Sequence, residues 1–131
     1  MKQENLVLIP ETVYGTASGN YDPTSTTFNS NAQKGVGYYL GSGSVNTFRF
    51  TVDDFVGIIT LYASLDETPS AGDDDMWFKI YTFPTDDSSS LDGSSAISAD
   101  FSTFVTGKFT WIYAQVTGFE GGTINSVTLS Y

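Results

Sequence analysis

Along most of this chain apolar and polar residues take turns with the period of two that places successive side chains on opposite faces of a β-strand. Residues 47–52 are the plainest case: Phe48, Phe50 and Val52 alternate with Thr47, Arg49 and Thr51, which predicts a strand with one buried and one wet face. In GIITLYASL, residues 57–65, Ile59, Leu61, Ala63 and Leu65 fall on one side and Ile58 and Tyr62 on the other, as in a strand central to a sheet. Near the C-terminus Phe109, Trp111, Tyr113 and Thr117 oppose Ile112, Ala114 and Val116, so both faces of that run carry apolar weight and a strand covered on both sides is expected. The run after it sets Asn125, Val127, Leu129 and Tyr131 against Ile124, Ser126, Thr128 and Ser130, so the last residue is expected to be built into a sheet. Between the two runs stand Gly118, Gly121 and Gly122, and GFEGG reads as the turn of an antiparallel hairpin.

Further strands are expected at Asn5 to Ile9, closed by Pro10, at VGYYL (36–40), short and buried, at the aromatic WFKIYTF (77–83), closed by Pro84, and, with a weaker pattern, around Ile97 to Val105. Asp53 and Asp54 mark a bend. The stretch YGTASGNYDPTSTTFNS, residues 14–30, reads as a long surface connection pinned by Tyr14, Tyr21 and Phe28. GSGS (41–44), DETPSAGDDD (66–75) and DDSSSLDGSS (86–95) read as turn and loops. No stretch has a convincing helical period. About eight short strands without helices predict a single all-β domain over residues 1–131, an antiparallel β-sandwich of jelly-roll type, in preference to a closed barrel, which wants more even strand lengths.

Composition narrows the chemistry. Leu, Ile, Val and Phe make up about a quarter of the 131 residues, enough for a core, and Ser plus Thr about another quarter. There is no cysteine and no histidine, which removes disulfides, thiolate or imidazole zinc sites, Ser-His-Asp and Cys-His nucleophile systems and histidine proton shuttles. A net charge of −10 with only five Lys and Arg argues against binding to a nucleic-acid backbone. No apolar run approaches the roughly 20 residues of a membrane-spanning helix, so a soluble protein without membrane insertion or secretory signal is expected.

The remaining candidates are carboxylates and aromatic rings. Asp73, Asp74 and Asp75, with Asp66 and Glu67 in the same loop, offer oxygen ligands of the kind calcium takes, but their spacing departs from the twelve-residue EF-hand loop and a solvated loop tip accounts for them. Asp53 with Asp54, and Asp86 with Asp87, read as turn residues and edge protectors. A glycosidase needs only a pair of acids, yet the acids here sit in predicted loops with no sign of an enclosing cleft. No catalytic residue, cofactor or metal site is therefore assigned. Tyr14, Tyr21, Tyr38, Tyr39, Trp77 and Trp111 could stack on sugars. Trp77 and Trp111 sit within apolar alternation and are expected in the core, which leaves Tyr14 and Tyr21 as the better candidates. Arg49, the lone arginine, stands on the polar face of its strand and is expected to pair with a carboxylate.

Three stretches carry a family resemblance across residues 35–131: Gly57 to Leu65 with Pro69 after it, the strand centred on Trp77, and the terminal Phe109 to Tyr131. Together they resemble small virion structural and fibre-associated β-domains of tailed bacteriophages, notably the contractile-tailed cyanophages. Tyr113 departs from that pattern, which often has a basic residue there. The resemblance implies a capsid decoration, neck, tail or fibre-associated protein without catalytic residues, located in the virion. Trp111, Ile112, Ala114, Val116, Gly122, Ile124, Val127, Leu129 and Tyr131 are implied as core and turn positions. Partners implied are further copies of the chain, as a trimer or pentamer, and other virion proteins; the competing expectation is a carbohydrate-binding module that recognises a host glycan.

Overall fold

Two strands of 20 residues each, β5 (Val45–Ser64) and β8 (Trp111–Ser130), run antiparallel side by side and form the spine of the molecule. The computed structural model describes residues 5–35, 45–66, 77–83 and 96–131, all β-strand, turn or extended chain without a helix. Short strands line the outer side of β8: β1 (Asn5–Ile9), β2 (Thr12–Val13), β3 (Phe28–Asn29) and β4 (Gln33–Lys34). On the far side of β5 lie β6 (Phe78–Phe83) and β7 (Ile97–Thr106). All eight belong to one antiparallel sheet.

That sheet is creased across its middle. Register shifts fall between Thr51 and Ile58 of β5, opposite Thr117 to Ser126 of β8, and extra residues at such bulges bend a strand and increase its twist. Asp54 sits at φ 51°, a left-handed conformation that Asp tolerates better than most residues. Its amide donates to Ser98 Oγ at 3.0 Å, and the same hydroxyl donates to Asp53 Oδ1 at 3.1 Å, which ties the crease to β7. The crease divides the sheet into two four-stranded widths. In the first the order is β1, the C-terminal arm of β8, the N-terminal arm of β5, then β7; in the second it is β3 with β4, the N-terminal arm of β8, the C-terminal arm of β5, then β6. This order is compatible with a jelly roll.

The two widths close on each other through aromatic rings. Phe50, in the first, stacks on Phe83, in the second, with ring centroids 4.6 Å apart and planes 3° apart. Phe48, Phe50, Ile59, Leu61, Ile112, Val116, Val127 and Leu129 are wholly buried between the layers, as strict alternation in both long strands requires. At the crease Phe119 meets Tyr21 at 5.0 Å, Tyr14 at 5.6 Å and Phe55 at 5.7 Å, so the long N-terminal connection is pinned there.

Several expectations are corrected. GFEGG is not a hairpin: residues 111–117 and 122–130 do not pair with each other but continue as one strand, each arm pairing with a different arm of β5. Gly118 at φ 62° and Gly122 at φ 82° turn the strand over the crease without reversing it. The two expected sheets are accordingly two halves of one. Leu65 lies beyond the end of β5 and is exposed. The strand expected at 36–40 and the loops 67–76 and 84–95, with Asp73 to Asp75, Glu67, Tyr38 and Tyr39, lie outside the described residues.

Candidate interaction surfaces

Because paired residues in a sheet share a face, the alternation that builds the core also fixes what each outer face carries. On the first half, register places Val7, Thr128, Ser126, Ser130, Val45, Thr47, Arg49, Thr51, Phe104, Ser102 and Asp100 on one outer face. It is a hydroxyl-rich plane with three large apolar groups standing out of it: Val7, Val45 and Phe104.

At its centre Arg49 fulfils the pairing expected of it. Nε donates to Asp100 Oδ1 at 2.7 Å and Nη2 to Oδ2 at 2.6 Å, a bidentate bridge in solvent. The hydrogen bonds from Arg49, then its positive charge, hold the Asp100 carboxyl below its ordinary 3.8 and raise the guanidinium's own value. A carboxylate depressed in the folded state contributes stability that is present above its unfolded pKa and lost as pH falls through the folded value. For Asp100 that loss falls below pH 3.8. In Arg49→Ala the Asp100 carboxyl should titrate closer to 3.8 by NMR; an unmoved titration would show that the bridge does not form in solution.

On the second half the outer face is aromatic. Tyr62 and Tyr113, opposed in register, stack with centroids 5.2 Å apart, and Trp77 meets Tyr113 edge-on at 4.6 Å. Trp111, beside them opposite Ser64 and Lys34, is half-buried on this outer face and does not anchor the interior; Trp77 is buried, but against Tyr113 on this same face and outside the interior cluster, so the expected core place of both rings is corrected. Tyr62 and Tyr113 were missing from the sequence-derived candidates. Their signal was parity: each stands in the phase opposite to the core residues Leu61 and Ala63, or Ile112 and Ala114. Trp111 shares that phase, and the apolar alternation around it pointed to burial because both faces of the run carry apolar residues.

The loop tyrosines fare differently. Tyr21 is buried against Phe28 and Phe119, and its hydroxyl accepts the Gly15 amide at 3.0 Å, so it serves the core. Tyr14 remains half-exposed. Between β1 and the segment 18–31 lies a cavity of about 100 Å³ lined by Leu8, Ile9, Phe28, Asn20 and Asn31, well under the roughly 300 Å³ at which ligand pockets begin. The Asn20 amide donates to Asn29 O at 2.8 Å and to Asn31 Oδ1 at 3.0 Å, which braces the cavity wall. Asp22 accepts from the Thr24 amide and hydroxyl, both at 2.9 Å, which lowers its pKa and closes a turn. Among the described residues no group of three acids is placed to hold a metal ion, and Asp66 alone of the five calcium candidates is described.

No protein-family model and no curated protein matches the chain. Among solved structures it is similar to a chain of infectious bursal disease virus, Gx strain, at 11% identity and a TM-score of 0.42, over 98% of this chain. It spans 31% of that viral chain.

Proposed function

We propose that this chain is a non-enzymatic structural protein of a virion, of the tailed-bacteriophage kind, acting as a capsid decoration, neck, tail or fibre-associated part through self-association and contact with other virion proteins. The observation that carries this reading is the outer face of the first half, where Val7, Val45 and Phe104 stand exposed on a hydroxyl-rich sheet. A sheet face of that kind suits packing against a repeated neighbour. The terminal motifs agree with it in fold: Ile112, Ala114, Val116, Val127 and Leu129, which resemble the phage proteins, are buried as the resemblance implies. Closed rings of three or five copies are the expected assemblies, and native mass spectrometry of the purified chain together with proteomics of a purified particle tests the reading. A multiple of the protomer mass and presence in the particle are expected. A strict monomer absent from every particle would end it.

A second reading, a module that binds host glycans, is favoured by the stacked, partly exposed pair Tyr62 and Tyr113 on this outer face, since sugar rings stack on such rings. It expects glycan-array hits that weaken in Tyr113→Ala; an empty array, with and without calcium, removes it.

A further inference from the structure

Sheet edges expose a row of amides and carbonyls ready to pair with another strand, and folded proteins defend them with proline, lysine, bulges or brevity. Two of the described edges, those of β1 and β6, are defended. The β1 edge has a bulge between Val7 and Ile9 and ends at Pro10; β6 is six residues long, carries Lys79, and is broken by a register shift against Leu61 and Tyr62. The edge of β7 is different. It runs ten residues, ISADFSTFVT, with no proline, glycine, lysine or arginine, and its ladder to β5 is regular from Val45 to Val52. Among the described residues β7 pairs with β5 alone, and no described strand lies along its other side.

Two rings stand out among the hydroxyls of this edge, where a charge ordinarily guards against pairing. Phe104 is 66% exposed, and Val45 stands diagonally beside it at 52%. Phe101, 38% exposed, stacks on Phe83 at 5.9 Å and covers the mouth between the layers. The one charge of β7, Asp100, is held by Arg49. A chain of net charge −10 repels its own copies in general, but here the contact strip is locally neutral.

We propose that β7 is a self-pairing edge that joins two copies of this chain about a twofold axis, antiparallel and centred on Ser102, so that the first halves of both copies form one continuous sheet. An antiparallel strand is its own complement under a twofold axis, which makes a second copy the natural occupant. Centring on Ser102 sets Phe104 of each copy opposite Asp100 of the other, beside the Arg49 guanidinium, where ring and cation attract. It also keeps the two Asp100 residues four positions apart, about 14 Å at strand spacing and beyond the screening length of about 10 Å at 0.1 M salt. Pairing centred on Asp100 itself would set the carboxylates face to face. The contact rests on the assembly reading only for the premise that copies of the chain meet, and it is compatible with rings of three or five that pair into even-numbered assemblies.

The test is native mass of the wild type beside Ser102→Lys/Phe104→Lys, which restores the charge an edge usually carries on two exposed side chains, with circular dichroism to confirm the fold. A wild-type mass at an even multiple of the protomer is expected, with self-association weakened at least about tenfold in the double variant. Because the chain has no cysteine, Ser102→Cys should yield a disulfide-linked dimer under mild oxidation, and Ser98→Cys, which would face Thr106, should not. An odd-numbered wild-type assembly, or one that persists unchanged in the double variant, overturns the β7 contact while leaving the assembly reading standing. A wild-type monomer also overturns it, and the broader reading then falls only if the particle lacks the protein.

Discussion

Phe50→Ala is expected to lower stability by about 3–5 kcal/mol, a fall in Tm on the order of 10–20 °C, the largest loss for a single core side chain here. Phe50 is wholly buried and belongs to the first half of the folded sheet, yet its ring lies flat on Phe83 and also stacks on Tyr81 at 5.9 Å, both in β6 of the second half. Truncation removes the transfer free energy of the ring and leaves a cavity between layers that cannot collapse, because β5 is held on one side by β8 and on the other by β7. Phe104→Ala is the control: it deletes the same ring from an exposed site, and its effect on the protomer should stay within about 0.5 kcal/mol. Denaturant melts of the two variants decide the matter. Equal losses would mean that the halves are not packed face to face through Phe50.

The second large effect is expected at the crease. Gly122 takes φ 82°, and a Cβ there would run into the backbone carbonyl of Asp54 on the neighbouring strand. Left-handed strain costs an L-residue about 1–2 kcal/mol, and a clash with backbone adds to it, because neither long strand can shift without breaking its ladder. Gly122→Ala should therefore cost more than about 3 kcal/mol. Gly118 sits at φ 62° with nothing within 4 Å of the same added atom, so Gly118→Ala should cost only the strain, about 1–2 kcal/mol. Thermal or urea unfolding of the pair separates the two contributions. If both variants lost the same amount, close approach at Gly122 would not be what holds the crease.

The crease also marks where sequence reasoning stopped. Glycines at 118, 121 and 122 signal positive φ, and a turn was the proper inference, but the same dihedral can reverse a strand or merely bend it. Which of these happens depends on the strand alongside. Asp53 and Asp54 gave the matching bend in β5 from sequence, yet nothing local says that two bends 64 or more residues apart stack against each other, as Asp54 and Gly122 do.

Local alternation settled a good deal by itself. Phe48, Phe50 and Val52, then Ile59, Leu61 and Ala63, then Ile112, Ala114 and Val116 are buried as their period requires, because a strand with one covered face admits only one phase. The all-β class, the central place of 57–64, the exposed face of Arg49 and the lack of thiol or imidazole chemistry were legible in the same way. Pairing partners were not. That β7 pairs with β5 alone among the described residues, that Tyr62 and Tyr113 meet on an outer face, that Trp111 stands half outside and Tyr21 wholly inside are results of long-range register, since burial of a ring depends on what the other strands place over it. The residues thus chose their own faces, and only the folding of one sheet upon itself decided which of those faces became interior.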